Sequence, residues 1–261
     1  MLPEIAGLWI GSRLSTVERL CIRSFQSHGH KFVLYTYGAI ADVPSGTEVR
    51  NANEVIPESE SRPFIERGNI ANFADWFRWE LLRKKGGYWV DMDMVCLAPF
   101  DFSEPVIFGW QQDNVSATGV LRFPASHPAL DEMVDRSMHP NRIRSDDSKP
   151  RKLKKLVRKL LGNSRARISW AEAGGPNGFR AVIKSHNLTR FGQPYTVFYP
   201  VYHTQFWSMF DDTFADDGRF FKRTKAIHLW NEVGKRYFNW NKDATYHPNS
   251  LIEQLKQRYG V

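Results

Sequence analysis

The 261-residue chain has only two cysteines, no long apolar run and, from Lys149 to Arg167, not one acidic residue. Each shortage narrows what the protein can be. Cys21 and Cys96 stand in different stretches without metal-ligand spacing, which argues against a disulfide framework or a thiolate zinc site and fits a reducing compartment with both thiols structural. No apolar run approaches the ~20 residues that cross a bilayer, and no charged start, apolar middle and cleavage site opens the chain. The expected location is therefore cytoplasmic.

The missing acids explain the net charge of +8, because nine Lys/Arg fall within 149–167 and the rest of the chain carries −1 (8 minus 9). Nucleic-acid binding needs basic residues spread along a groove, so no nucleic-acid partner is expected. With 42% hydrophobic residues the chain can bury a sizeable core, and a single domain over 1–261 is the economical expectation. Most of its nine tryptophans belong in that core, although aromatic faces also suit carbohydrate.

The segment 69–94 is the most informative. Ile70, Phe73, Phe77 and Leu81 recur at helical intervals, Arg83, Lys84 and Lys85 complement the negative end of that helix, and Gly86-Gly87 ends it. Tyr88-Trp89-Val90 then reads as a strand that leads into Asp91-Met92-Asp93. In an extended chain the two aspartates point to the same side. Paired carboxylates at the end of a buried strand stay ionised only beside positive charge, and Mg²⁺ or Mn²⁺, which also takes phosphate oxygens, supplies it. Asn72, Asp75 and Arg78 form a polar stripe at three-residue intervals on the preceding helix. This is either a surface ion pair contributing roughly 0.2–0.5 kcal/mol or a sugar-recognition pair, with Asp75 accepting and Arg78 donating.

Other segments read more simply. Residues 5–11 and 31–37 are strands around a helix over 14–27, a βαβ unit that places ligands beyond its C-terminal strand ends. Residues 42–67, rich in Pro, Ser and Glu, read as loops with short structured pieces, and residues 95–100 leave the strand. Two strands are expected at 106–110 and 116–123, helices at 128–138, 179–186 and 250–259, and a tight glycine turn at Gly174-Gly175-Pro176-Asn177. Leu153, Leu156, Val157, Leu160 and Leu161 form one stripe of a cationic helix. That stripe suits either an anionic membrane surface or docking of the helix on its own domain.

Asn72-x-x-Asp75-x-x-Arg78 followed by Gly86-Gly-Tyr-Trp-Val-Asp-Met-Asp93 resembles the donor-site core of DXD-containing glycosyltransferases. It is most similar to glycosyltransferase family 32, which includes capsular and lipopolysaccharide sugar transferases, α1,4-galactosyltransferases and yeast α-mannosyltransferases, and it also resembles the clostridial glucosylating toxins. The resemblance implies an α/β fold of the GT-A type: one Rossmann-like, mostly parallel sheet flanked by helices, here with a basic amphipathic insertion at 149–167. It implies a nucleotide-sugar-binding half over 1–123 and an acceptor side with a metal and diphosphate element over 124–261. The implied metal is Mn²⁺ or Mg²⁺, held by Asp91, Asp93 and His228 of Ala226-Ile-His-Leu-Trp-Asn231, with Asp93 the direct ligand and Asp91 on the ribose and a metal-held water. Asp91, Asp93, Asp75 and Arg78 form the implied catalytic set.

By the same resemblance Trp9-Ile10-Gly11 holds the nucleotide base, favouring a UDP-sugar. Asn72, Trp89, Gly175, Pro176, Asn177, Trp230, Asn231 and Lys235 fall near donor or diphosphate, with Glu172 a further candidate near the turn. Val197 to Val201 resembles a proline-containing strand. The implied reaction is retaining transfer of a hexose or N-acetylhexosamine to a saccharide or lipid-linked saccharide acceptor in bacterial surface polysaccharide or lipopolysaccharide synthesis. The enzyme would then lie peripherally on the inner face of the cytoplasmic membrane through 149–167. A non-catalytic nucleotide-sugar or polysaccharide-binding protein, and a toxin-like transferase acting on proteins, remain as alternatives.

Overall fold

The structure, a computed structural model, describes residues 2–163, 165–169, 171–215, 220 and 222–261. Its elements in chain order are β1 (Ile5–Leu8), α1 (Thr16–Ser27), β2 (Phe32–Thr36), β3 (Glu48–Asn51), α2 (Glu58–Ile65) and α3 (Ile70–Lys85). Then come β4 (Gly87–Val90), β5 (Met94–Cys96), β6 (Ile107–Gln112), β7 (Val115–Phe123), α4 (Pro128–Met138) and α5 (Lys149–Leu160). The chain closes with α6 (Pro176–Ser185), β8 (Gly192–Gln193), α7 (Tyr195–Phe198), β9 (Ala226–His228), α8 (Asn231–Phe238) and α9 (Leu251–Tyr259).

Among the described residues one sheet has the order β3-β2-β1-β4-β7-β6-β8, and only β7 runs against the others. Side-chain alternation along its strands feeds two separate cores. Ile5, Phe32, Leu34, Tyr88 and Val90 face the layer that holds α1 and α9. Ala6, Leu8, Val33, Tyr35 and Trp89 face Phe73, Phe77 and Leu81 of α3. Helices thus cover both faces, which is why these strands read as near-continuous apolar runs. The arrangement is an α/β fold with a mostly parallel central sheet, as expected from the sequence.

Chain order places the ligand crevice. From β1 the chain steps outward to β2 and β3, then returns to place β4 on the other side of β1. The C-terminal ends of β1 and β4 therefore flank a switch point, where no helix crosses and ligands can enter. Glycine makes the approach to β4 possible: Gly86 ends α3 at φ 64°, and a Cβ there would lie 2.6 Å from the backbone nitrogen of Ala125.

Two local readings are corrected. Asp91 and Asp93 are not on one side of a strand, because β4 stops at Val90. The Asp91 N–H still donates to the Gly119 carbonyl (2.8 Å), but the Met94 N–H donates back to Asp91 O (3.0 Å) and closes a turn. Met92 is buried at the apex, and β5 leaves to pair antiparallel with β9, Met94 opposite His228. The short structured pieces expected within 42–67 are β3 and α2, whose individual signals are weak because β3 is a charged strand and α2 carries Pro63 inside it. Residues 197–201 are not a strand. Pro194 caps the short helix α7, and the Tyr199 N–H donates to Tyr195 O at 2.7 Å.

Candidate functional site

Arg78 organises the crevice. It projects from α3, is 4% exposed, and its guanidinium lies 3.1 Å from Asp75 Oδ1 and 3.2 Å from Asp91 Oδ1 while donating to the Thr118 carbonyl at 2.6 Å. The Trp89 ring lies below it, 5.3 Å from centroid to guanidinium carbon, and the Trp89 indole N–H donates to Asp91 Oδ1 at 2.9 Å. Asp91 is thus held from two sides by buried donors. The i, i+3 pair seen in the sequence is a buried ion pair and not a solvated surface one.

Asp93 is held differently. Its Oδ2 accepts from the Asn231 N–H at the start of α8 (2.7 Å) and lies 3.2 Å from His228 Nε2. The Leu229 N–H donates to Asp93 O at 2.9 Å, so the β5–β9 pairing brings the two side chains together. Trp230 makes the turn from β9 into α8 with left-handed φ 54°, a conformation costly for a bulky residue and tolerated here because its indole N–H donates to Val201 O at 2.8 Å. Its ring backs the imidazole at 4.2 Å between centroids, with Tyr199 edge-on at 5.6 Å.

One potential ligand atom from each of Asp91, Asp93 and His228 lies within 4.8 Å of the others. These hard oxygen donors and an imidazole fit Mn²⁺ or Mg²⁺. His228 Nδ1 and Asp75 Oδ2 are buried and have no hydrogen-bond partner among the described residues, as expected of atoms meant for a ligand. The charges are unevenly balanced. Burial pushes Asp75 up to about 7, with Arg78 opposing and the Asp91 charge adding to the rise. Burial likewise raises Asp91, with Arg78 opposing. For Asp93 burial is outweighed by His228 and the Asn231 N–H, which hold it down at about 2. His228 is raised in turn: burial lowers it, but the two aspartates prevail.

A pH dependence follows from Asp75. Its folded value of about 7 lies above the ordinary 3.8, so the stability linked to this carboxyl is complete below about pH 4 and is lost as pH rises through 7. Asp75→Asn is expected to raise the melting temperature more at about pH 8 than at about pH 5. Equal shifts at both would contradict the assignment.

The remaining sequence candidates divide. Trp9 sits just past β1, its N–H donating to Tyr35 O (3.0 Å) and its indole N–H to Arg13 O (2.9 Å), with one ring face toward Lys242. Gly11 is exposed beside that ring, whereas partly buried Ile10 packs on the α3 side. Gly174 lies against Asp75, where an added Cβ would be 3.5 Å from Asp75 Cβ. The turn is anchored by Trp79 Nε1 to Gly174 O (2.6 Å) and Ser116 Oγ to Pro176 O (3.1 Å), and Gly175 caps α6. Lys235 is exposed on α8.

Asn72 donates its side-chain N–H groups to Arg165 O (3.0 Å) and Ile168 O (3.1 Å), so it orders that segment. Asn177 is exposed and lines a small cavity with Arg144, Asp147, Arg151 and Lys155. Glu172 is taken up by Lys154 (2.7 Å) and Arg158 (2.8 Å). Burial raises both thiols, Cys96 to about 12, so they stay protonated and structural.

Two residues of the site carried no sequence signal. Lys242, in an irregular stretch, places its ammonium 5.3 Å from the Trp9 ring centre and 2.5 Å from buried Glu18. Tyr199, whose hydroxyl is buried, closes the crevice beside Gly119.

No protein-family model matches the chain, and no curated sequence matches it either. Among solved structures it is similar to one described as "PaToxG Glycosyltransferase", at 13% identity and TM-score 0.49, over 71% of this chain and 69% of the other. It is also similar to the glycosyltransferase domain from the YGT toxin over 74% of this chain and 79% of the other. The ligand-free form has 9% identity and TM-score 0.49. The UDP-bound form has 9% identity and TM-score 0.47, with the same coverage. Likeness this distant carries no weight for chemistry.

Proposed function

We propose that the chain is a metal-dependent, retaining glycosyltransferase that moves a hexose or N-acetylhexosamine from a nucleotide sugar, UDP-sugar favoured, to a saccharide or lipid-linked saccharide in bacterial surface polysaccharide or lipopolysaccharide synthesis. One observation carries the reading. Asp91, Asp93 and His228 converge at the switch-point crevice, with the buried Arg78–Asp75 pair beside them.

Asp91, Asp93 and His228 would hold Mn²⁺ or Mg²⁺, and that ion would supply Lewis acidity toward the departing nucleoside diphosphate. The protein's own groups do the rest. Arg78 and Trp89 fix the Asp91 carboxylate, while the Asn231 N–H and His228 fix Asp93. Asp75 Oδ2, with no partner among the described residues, accepts a donor-sugar hydroxyl. Trp9 offers its ring to the base once Lys242 swings aside, which leaves the Lys242 ammonium for a diphosphate, with Lys235 of α8 a second candidate. Gly175 and Pro176 bring backbone close to the sugar. Residues 1–123 form the donor half and 124–261 the acceptor side. Retention by front-face attack accounts for the absence of an assigned general base, since the leaving phosphate takes the acceptor proton.

The test is a thermal-shift series with nucleoside diphosphates and nucleotide sugars, with and without Mn²⁺. UDP with Mn²⁺ is expected to stabilise the wild type, and Trp9→Ala to weaken the apparent affinity about tenfold or more through loss of stacking. No shift with any nucleotide would reject the donor site.

A further inference from the structure

Helix α5 is mounted in the opposite sense to an ordinary amphipathic helix. Its buried side chain is a lysine, Lys155, which donates to Asp147 (2.7 and 2.9 Å) and to Arg142 O (3.0 Å). On the same side Lys154 and Arg158 close on Glu172. Burial of Asp147 and pairing of Glu172 leave these cations in place as tethers, with Glu172 held down at about 2 by Arg158 and then Lys154. The apolar stripe consequently faces outward: Leu153 is 63% exposed, Leu156 46%, Val157 45%, Leu160 87% and Leu161 68%. A soluble helix normally buries such a stripe on its own domain. Here three ion pairs hold it away from the core.

The geometry points to α5 as the docking surface for an anionic lipid membrane, a conclusion independent of the transferase reading. Lys152 and Lys159 belong to the same helix as the outward stripe, and neither has an ion-pair partner among the described residues. Leucines entering the acyl boundary, with long lysines reaching to the headgroups, satisfy both at once. Charge decides against the other occupants. A second copy packed face to face would set two acid-free cationic segments together, and a protein partner would need an acidic ring around an apolar groove. An anionic bilayer needs neither. Ser164, within the same basic segment, lies outside the described residues.

Flotation of the full chain with vesicles tests this. The wild type is expected to float with vesicles of phosphatidylcholine mixed with phosphatidylglycerol, to stay behind with phosphatidylcholine alone, and to be released by high salt. Leu153→Gln/Leu160→Gln, on exposed positions that spare the fold, should lower binding about tenfold or more. Lys152→Gln/Lys159→Gln should lower it about thirtyfold. Both variants should melt like the wild type and keep nucleotide binding in solution. Absence of wild-type flotation with the phosphatidylglycerol-containing vesicles would overturn the assignment, as would flotation that the leucine variant leaves unchanged. A wild-type dimer in sedimentation velocity that the leucine variant dissolves would also overturn it and give the stripe to a second copy.

Discussion

Asp93→Ala is expected to abolish the Mn²⁺-dependent stabilisation by UDP and to lower turnover by on the order of 10³-fold, the scale of removing one electrostatic anchor from a charge-stabilising site. Of the acidic residues in the crevice, Asp93 is the one held firmly ionised, by His228 and by the first N–H of α8. The substitution also strips the Asn231 N–H and His228 of an acceptor, which costs about 1–3 kcal/mol. Asp93→Asn separates the two effects, because its amide oxygen can still accept from Asn231 while the charge is gone. Melting curves and sugar-donor hydrolysis on both variants are the measurement. Retention of the metal-dependent shift in Asp93→Asn would remove Asp93 from the metal set.

The second large effect is on stability. Arg78→Met deletes the counter-charge for Asp75 and Asp91 and leaves the Thr118 carbonyl without its donor, all in a site where Arg78 is 4% exposed. Breaking a buried ion pair from one side costs about 3–5 kcal/mol. For a chain of this size that lowers the melting temperature by roughly 10 °C. The loss should shrink toward about pH 5, since Asp75, pushed up to about 7, sheds its charge on the way down. Chemical denaturation at two pH values measures both parts. A loss under about 1 kcal/mol, or one that grows at the lower pH, would contradict this account.

Both expectations begin from residues visible in the sequence, and the extent of that visibility varies along the chain. Strongly patterned elements were legible: α3 from its apolar face and Gly86-Gly87, β1 and β2 from apolar runs, α9 from its serine start. β3 and α2 were not, because an edge strand of charged residues and a helix with an internal proline obtain their stability from neighbours and not from local preference. His228 came only through resemblance. A lone histidine in a three-residue strand has no periodicity to mark it, and what places it by Asp93 is a pairing across 134 positions (228 minus 94).

By itself the sequence determined the local facts: the Asp-x-Asp spacing, the polar stripe of α3, the turn glycines and the composition of the cationic helix. These depend on neighbours a few residues apart, and short-range spacing records them. Tertiary structure alone decided which sides of things face each other. It buried Arg78 between Asp75 and Asp91, turned Asp91-Met92-Asp93 out of the sheet toward His228, set Lys242 over Trp9, and aimed the leucines of α5 away from the core. Each of these is a competition between distant groups for burial and charge, and such a competition has no outcome until the chain is folded.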